Sequence, residues 1–390
     1  MTIERPTLYL IYAVPRHQLR RENGTSRRLD SLRACFGSDY SVIDINLLEN
    51  DLQHVDRLVT RLFIAVGLNN FRYLFLSRKL PDLPVNSNVL VSGIYSAFLG
   101  LTLRHVRLSI DLVDSLSLTD VRGVQSLWHG RPIYHCLQFP ISFLLERFLL
   151  RRKAIQSIFV TTYAEREWLK RLHFDSPHLH VLSNSIDTLL AYSKSDSSHA
   201  NNCLPSQRSL AFIGSLDWWV NRRMLKDALR LLKMYLNKHD ASQPICLNVY
   251  GDESTRNIDL NDLPSTLKVV HKGYYESVQE VFAENHAAFL PNSVGRGFQN
   301  KLFTCLSIGL PTVAHESMNP VGLHTSAYRG SMSDNPVIFC RTEADYMSAI
   351  SSVFLMDFHQ RLLLRKACHQ FLANWHQNSL LEREEILHRI

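Results

Sequence analysis

The chain has 390 residues, of which 45% are hydrophobic and 20% charged. These values exclude a disordered segment and a single small module, and they fit two domains of ordinary size. The formal charge of +7 sits almost wholly in residues 1–200, where 24 Lys and Arg face 18 Asp and Glu, against 19 and 18 in the remainder. The N-terminal half therefore suits an anionic partner: a membrane surface, an anionic substrate or nucleic acid.

"PTLYLIYAVP" is a short apolar run ending at a proline and reads as a buried first strand. "NGTSRRLDSLRACFG" follows as a glycine turn, a Thr/Ser cap and a helix ending at Gly37. Strands are expected at "YSVIDIN", "NVLVSG", "VRLSIDLVD", "IQSIFVTT" and "LHVLSN", with helical patterns between them. That alternation predicts a parallel sheet covered by helices on both faces. Residues 190–208 are polar and rich in Ser and Asn, as a linker would be. The alternation then restarts with strands at "SLAFIGS", "ICLNVYG", "LKVVHKG", "AAFLPN" and "PTVAH", and a helix from about Asn221 to Asn237. The predicted fold is α/β, two facing doubly wound Rossmann-like domains. Residues 1–189 form the N-terminal domain and 209–357 the C-terminal one. Residues 358–390 are one or two helices around Trp375 that pack back on the first domain. In such sheets ligands bind outside the carboxyl ends of the strands, so the gap between the domains is the expected site.

The residues of that rim carry the chemistry. Gly214 and Ser215 follow one strand and open a helix, where backbone amides favour an anion; a plain turn is the equal alternative. Gly251 and Gly273 follow the next two strands, with Tyr274 after the second. "VGRGFQNKLFTCLSIGLPTV" is more specific. Gly295 and Gly297 leave the backbone open, and Gln299, Asn300 and Lys301 stand at a helix start where a basic residue opposes the helix dipole. A bound diphosphate reverses that penalty, with Arg296 and Lys301 as its clamp. In the first half, Asp114 and Ser115 end a strand at the cleft, placed to meet the acceptor or the donor sugar, and Gly24 and Thr25 open a helix at the end of the first strand, placed to hold an acceptor phosphate. Asp114 reads equally as a helix cap, and the Gly24 helix as a plain helix with an exposed basic face.

"FIGSLDWWVN", "NVYG", "VVHKGYYESVQEVFAENHAAFLPN" and "GRGFQNKLFTCLSIGLPTVA" resemble, in order and spacing, the nucleotide-binding domain of GT-B glycosyltransferases of the group-1 type that build bacterial surface polysaccharides. "NGTSRRL", "IDLVDSLS", "FLLERFLLRRKAIQSIFVTTYAEREWL" and "VLSNSID" fit in the first half. The resemblance implies a metal-independent, retaining transferase. It would move a hexosyl-type unit from a nucleotide-diphosphate sugar to a glycan, lipid-linked acceptor, with no cofactor besides the donor. It places Gly214, Ser215, Arg296, Gly297 and Lys301 at the diphosphate and sugar, and the loop after Gly273 at the base. Where the family carries a ribose-binding glutamate this chain has Thr304, and the partner acidic position is Arg296. A nucleotide-sugar epimerase on the same fold and a non-catalytic member of a polysaccharide assembly are the alternatives.

Metal sites are not expected, since the sequence has no Asp-x-Asp pair and no HExxH. The seven cysteines, Cys35, Cys136, Cys203, Cys246, Cys305, Cys340 and Cys368, form no CxxC and suit reduced thiols. The first residues lack the pattern of a signal peptide, and no run is long enough to span a membrane. The expected location is therefore cytoplasmic, peripheral on the inner face of the membrane. Residues 54–80 mix apolar residues with Arg57, Arg61, Arg72, Arg78 and Lys79, and "RFLLRRK" adds charge near 150. These read either as membrane-surface helices or as core helices with a basic rim. Nucleic acid is not an expected partner, because aromatics do not interleave the basic runs.

Overall fold

The computed structural model describes residues 5–14, 24–47, 80–125, 132–173, 178–187, 189–190, 204–216, 219–239, 243–251, 263–275, 277–293, 297–320 and 335–387. The basic stretch 54–79 and most of the 190–208 segment lie outside them.

Two six-stranded sheets are present, and every strand pair in both is parallel. The first contains β1 (Thr7–Tyr12), β2 (Ser41–Asn46), β3 (Asn88–Ser92), β4 (Arg107–Asp111), β5 (Ile155–Val160) and β6 (Leu179–Val181), in the order β2-β1-β3-β4-β5-β6. Its helices are α1 (Gly24–Phe36), α2 (Ile94–Gly100), α3 (Leu116–Gln125), α4 (Pro132–Leu150) and α5 (Tyr163–His173). Central strands β3 and β4 are buried at all positions but their first, on both faces of the sheet, because both faces are covered.

The second sheet contains β7 (Arg208–Ile213), β8 (Ile245–Tyr250), β9 (Leu267–Gly273), β10 (Ala287–Leu290), β11 (Thr312–His315) and β12 (Val337–Cys340). Its order is β12-β11-β10-β7-β8-β9, so the direction of winding reverses between β7 and β10. A crevice opens at such a reversal, outside the carboxyl ends of the two strands. Helices α6 (Trp219–Lys238), α7 (Val278–Glu284), α8 (Asn300–Ile308) and α9 (Glu343–Leu355) complete this unit. Gly309 ends α8 in the left-handed conformation, φ 82°, which favours glycine. Strand β12 was not among the expected strands. "VIFC" is only four residues long, and it pairs through β11 at the sheet edge.

The last helix, α10 (Phe358–Leu387), is one continuous element of 30 residues. Its first half belongs to the second core: Leu364, Cys368 and Leu372 are buried there, and the Arg361 guanidinium donates to the Phe282 and Asn285 carbonyls. Its second half crosses to the first unit. Trp375 lies between Phe303 (ring centroids 5.1 Å apart) and Tyr163 (6.2 Å), the Tyr163 hydroxyl donates to Glu382, and Ile386 joins the core around Leu8 and Leu10. The helix thus fastens the two units beside the cleft.

The N-terminal unit is held by a charge that the sequence alone places on the surface. Arg28 on α1 is 1% exposed, not part of an exposed basic face. It contacts Asp111 at the end of β4 (2.5 Å) and donates to the Leu182 carbonyl (2.5 Å) and Asn184 (3.2 Å). Ser92 also donates to Asp111, at 2.9 Å. One guanidinium therefore ties α1 to the ends of β4 and β6, and Asp111 carries the link on to β3. Removing one partner strands a buried charge, so Arg28→Ala is expected to cost about 3–5 kcal/mol in urea unfolding, far more than an exposed arginine would.

Candidate active site

The glycine rim expected from the sequence lies along three adjacent strand ends. The Gly214 N–H donates to the Tyr250 carbonyl (2.9 Å), and the Gly251 N–H donates to the Gly273 carbonyl (2.8 Å). At Gly251 (φ 144°) a Cβ would sit 2.5 Å from the Gly214 carbonyl oxygen, so no side chain fits there. Gly273 has φ 70° with open space around it, and Tyr274 beside it is 71% exposed. The rim is bare backbone with one exposed aromatic at its end, an arrangement that lets a ligand approach the main chain.

Across the β7/β10 reversal stands α8, whose start includes Phe298, Gln299, Asn300 and Lys301. Phe298 stacks on Phe303 (centroids 4.3 Å) and lies 6.1 Å from Trp375, which fixes the entry of the chain into the helix. The Lys301 ammonium turns towards β7 and donates to Asn221 Oδ1 at 2.5 Å, while Asn221 Nδ2 donates to the Ser215 carbonyl at 2.6 Å. Lysine, asparagine and glycine loop form one chain of contacts over the crevice. Burial lowers the Lys301 pKa from 10.5 to about 8. The cation is thus held where water solvates it poorly, a cost that a bound anion relieves.

Asn221 was missed in the sequence, where "WWVN" looked like an ordinary helix start; its signal is the position seven residues after Gly214. Gln299 is the N-cap of α8 and is 7% exposed, close to Asn292 in the interior. Thr304, expected at the ribose, is also buried. Its hydroxyl donates to the Asn300 carbonyl (3.0 Å) on its own helix, so it offers no hydrogen to a ligand. Arg296 lies outside the described residues.

The facing wall comes from the loop after β4. Val113 has φ 65°, a strained conformation for a β-branched residue, and the Asp114 N–H donates to the Leu112 carbonyl at 2.7 Å in a three-residue turn. This turn aims Asp114 across the cleft at Gly297. Gly297 has φ 49°, and a Cβ there would overlap Asp114 Oδ1, so glycine is needed for both conformation and space.

Two buried carboxylates clamp the loop from behind. Glu165 accepts from the Ser115 N–H (2.8 Å) and from the amides and hydroxyls of Thr161 and Thr162. Glu146 accepts from the Ser115 hydroxyl (3.0 Å), the Leu116 N–H (2.6 Å) and the Ser117 amide and hydroxyl. Ser115 is therefore 1% exposed and committed inward, which corrects its expected role as an acceptor contact. Burial and the Asp114 charge push the Glu165 pKa up against these hydrogen bonds, and burial pushes Glu146 up to about 7. Arg122, 8% exposed, balances Asp114 and Glu165 of its own unit and Glu316 of the other; burial lowers its pKa to about 10. Gly24 and Thr25 are the first two residues of α1. No group of acidic, histidine and cysteine side chains that could hold a metal ion occurs among the described residues.

No protein-family model matches the chain, and no curated protein matches it by sequence. Solved structures do match in fold. The trehalose-6-phosphate structure from E. coli bound with UDP-2-fluoro glucose is similar with a TM-score of 0.57 and 9% identity, over 97% of this chain and 98% of that one. Anabaena Alr3699/HepE in complex with UDP-glucose is similar with a TM-score of 0.56 and 11% identity, over 97% and 98%. A point mutant of S. aureus TarM in complex with Fondaparinux, alpha-GlcNAc-glycerol and UDP gives a TM-score of 0.51 and 13% identity over 81% of this chain, which spans only 57% of that one. The two parallel sheets, their winding and the cleft between them define the GT-B fold. At these identities the likeness is one of architecture.

Proposed function

We propose that the chain is a glycosyltransferase that moves a sugar from a nucleotide-diphosphate donor to a glycan acceptor. The observation that carries this reading is the Lys301–Asn221–Ser215 chain of contacts. It places a poorly solvated cation at the β7/β10 crevice, beside a rim of bare glycine backbone. In the reaction the bond from the anomeric carbon to the diphosphate oxygen breaks, a bond to an acceptor hydroxyl oxygen forms, and the hydroxyl proton passes to the leaving diphosphate. Charge builds on the leaving diphosphate, where Lys301 and Arg296, beside the Gly214–Ser215 turn, stabilise it. Asp114, on the opposite wall, meets the reacting sugar. No metal has a part in this scheme. The fold neighbours support a uridine nucleotide as the first donor to try, since those structures hold UDP or a UDP-sugar.

The finer reading is a retaining transfer to a lipid-linked glycan in polysaccharide assembly, by an enzyme attached peripherally to the membrane. The excess positive charge of residues 1–200 supports an acceptor carried on an anionic surface. Among the described residues no helix is long and apolar enough to cross a membrane. The test is transfer from a panel of radiolabelled nucleotide sugars into a bacterial membrane lipid extract. The expected result is label in the lipid phase from one donor. Interconversion of two donors without transfer, or binding without turnover, would overturn it.

A further inference from the structure

Helix α4 exposes an apolar stripe that the fold does not use. Leu137, Ile141, Leu144 and Phe148 are 70%, 37%, 62% and 39% exposed. Their spacing of four, three and four residues puts them on one side of the helix. The other side is already occupied, with Ser142, Glu146 and Leu149 buried against the domain. The stripe is thus not the face that packs α4 onto the core. Scattered single apolar residues on a surface need no explanation, but a continuous row does.

Charge continues the stripe at its end. Arg151, Arg152 and Lys153 are all exposed, and the Arg152 guanidinium lies 4.0 Å from the centre of the Phe148 ring. Phe148 also stacks on Phe98 of α2 (5.7 Å), and the chain leaving α2 carries exposed Arg104 and Arg107. No Asp or Glu occurs from Leu83 to Ile110, and Glu146 is the sole acidic residue from Pro132 to Val160. Glu146 is buried. Along these two stretches the surface is therefore apolar and cationic with no exposed acid. Cations in the last turn do complement the helix dipole, but that accounts for neither the apolar row nor the absence of acids around it.

We infer that this face of α4 docks on an anionic lipid surface, the stripe entering the headgroup boundary and the arginines and Lys153 meeting lipid phosphates. Apolar insertion with flanking cations is the chemistry of interfacial helices. A second copy of the chain fits less well. Two-fold pairing of the stripes brings each basic end against a helix with no exposed acid. Position also favours a bilayer. Glu146 holds the Ser115–Ser117 loop at the carboxyl edge of the first sheet, so the part of α4 before it stands beyond that edge, on the cleft side. A bilayer against α4 then lies beside the mouth of the cleft. The inference deepens the membrane-borne acceptor of the proposed function, yet its test needs no turnover.

The test is sedimentation of the full chain with vesicles of phosphatidylcholine alone or mixed with phosphatidylglycerol, at low and raised salt. The wild type is expected to sediment with the mixed vesicles and to be released by salt. Leu137→Ser with Leu144→Ser should weaken sedimentation about tenfold or more, as should Arg151→Gln, Arg152→Gln and Lys153→Gln together. All these positions are exposed, so the variants should unfold at the wild-type temperature and keep their nucleotide affinity. Absence of wild-type sedimentation would overturn the inference, as would variants that sediment as well as the wild type. A dimer in gel filtration that the serine pair dissolves, without loss of vesicle binding, would assign the stripe to a second copy instead. Loss of nucleotide binding in the wild type would strike the transferase reading and leave this result standing.

Discussion

Lys301→Met is expected to weaken donor binding about 100-fold or more while making the ligand-free protein more stable. The two effects have one cause. Burial holds the Lys301 pKa near 8, against 10.5 for a solvated lysine. Between those values the unfolded chain binds more protons than the folded one, so this group makes stability rise with pH across the window from about 8 to 10.5. Methionine keeps much of the chain's volume and removes the charge, which should add about 1 kcal/mol at neutral pH, after discounting for partial exposure and the lost bond to Asn221. A diphosphate, by contrast, loses its principal buried cation. The affinity for the donor should fall by about 100-fold or more. Thermal unfolding and calorimetric titration of the same variant check both halves. A variant that binds as the wild type does would remove Lys301 from the site.

Asp114→Asn is the second large effect. The side chain keeps its shape, and the turn at Val113 that aims it is untouched, so the donor KM should stay within about threefold. The rate constant kcat should fall by about 100-fold, because a carboxylate next to a reacting sugar stabilises positive charge that exists only in the transition state. The substitution also removes a charge that raises the Glu165 pKa. Glu165 in the folded protein holds its proton to higher pH than in the unfolded chain, so it makes stability fall as pH rises above 4.5. Relieving that should make the variant more stable at neutral pH, by an amount that grows above 4.5 and levels off once the folded-state carboxyl has ionised. Unchanged kcat, or a loss confined to KM, would make Asp114 a cap or a binding contact only. Both substitutions share a logic: charge held in a poorly solvated cleft costs stability and serves a ligand.

The parts of this arrangement that could be read in the sequence are those set by local chemistry. Apolar runs ending in Gly214, Gly251 and Gly273 placed three strands and one rim correctly, because a glycine directly after a buried strand has few other uses. The winding of both sheets followed from the alternation of strands and helices. The four-residue β12 was missed because so short a run at a sheet edge has no periodicity of its own. Ser115 and Thr304 were misread for a common reason: a hydroxyl near a site can turn inward, and only packing decides. Ser115 turns to Glu146, and Thr304 to its own helix. Arg28 shows the converse, a basic residue whose partner lies 83 residues away at Asp111. The Glu165 clamp did leave a trace. "TYAE" is a capping box, with the Thr162 hydroxyl accepting from the Glu165 N–H and Glu165 accepting from the Thr162 N–H, and the same carboxylate extends to the Ser115 loop.

The central claim is that a half-buried, poorly solvated lysine at the β7/β10 crevice receives a nucleotide-sugar diphosphate. Calorimetric titration with a UDP-sugar at pH 8, repeated in two buffers of different ionisation enthalpy, tests it most directly. The diphosphate of a nucleotide sugar has no proton that titrates near that pH, whereas Lys301 is about half protonated there. Binding is therefore predicted to be one-to-one and to take up about half a proton, and that uptake should vanish with Lys301→Met. Saturable binding without proton uptake, or uptake that persists in Lys301→Met, would contradict the account.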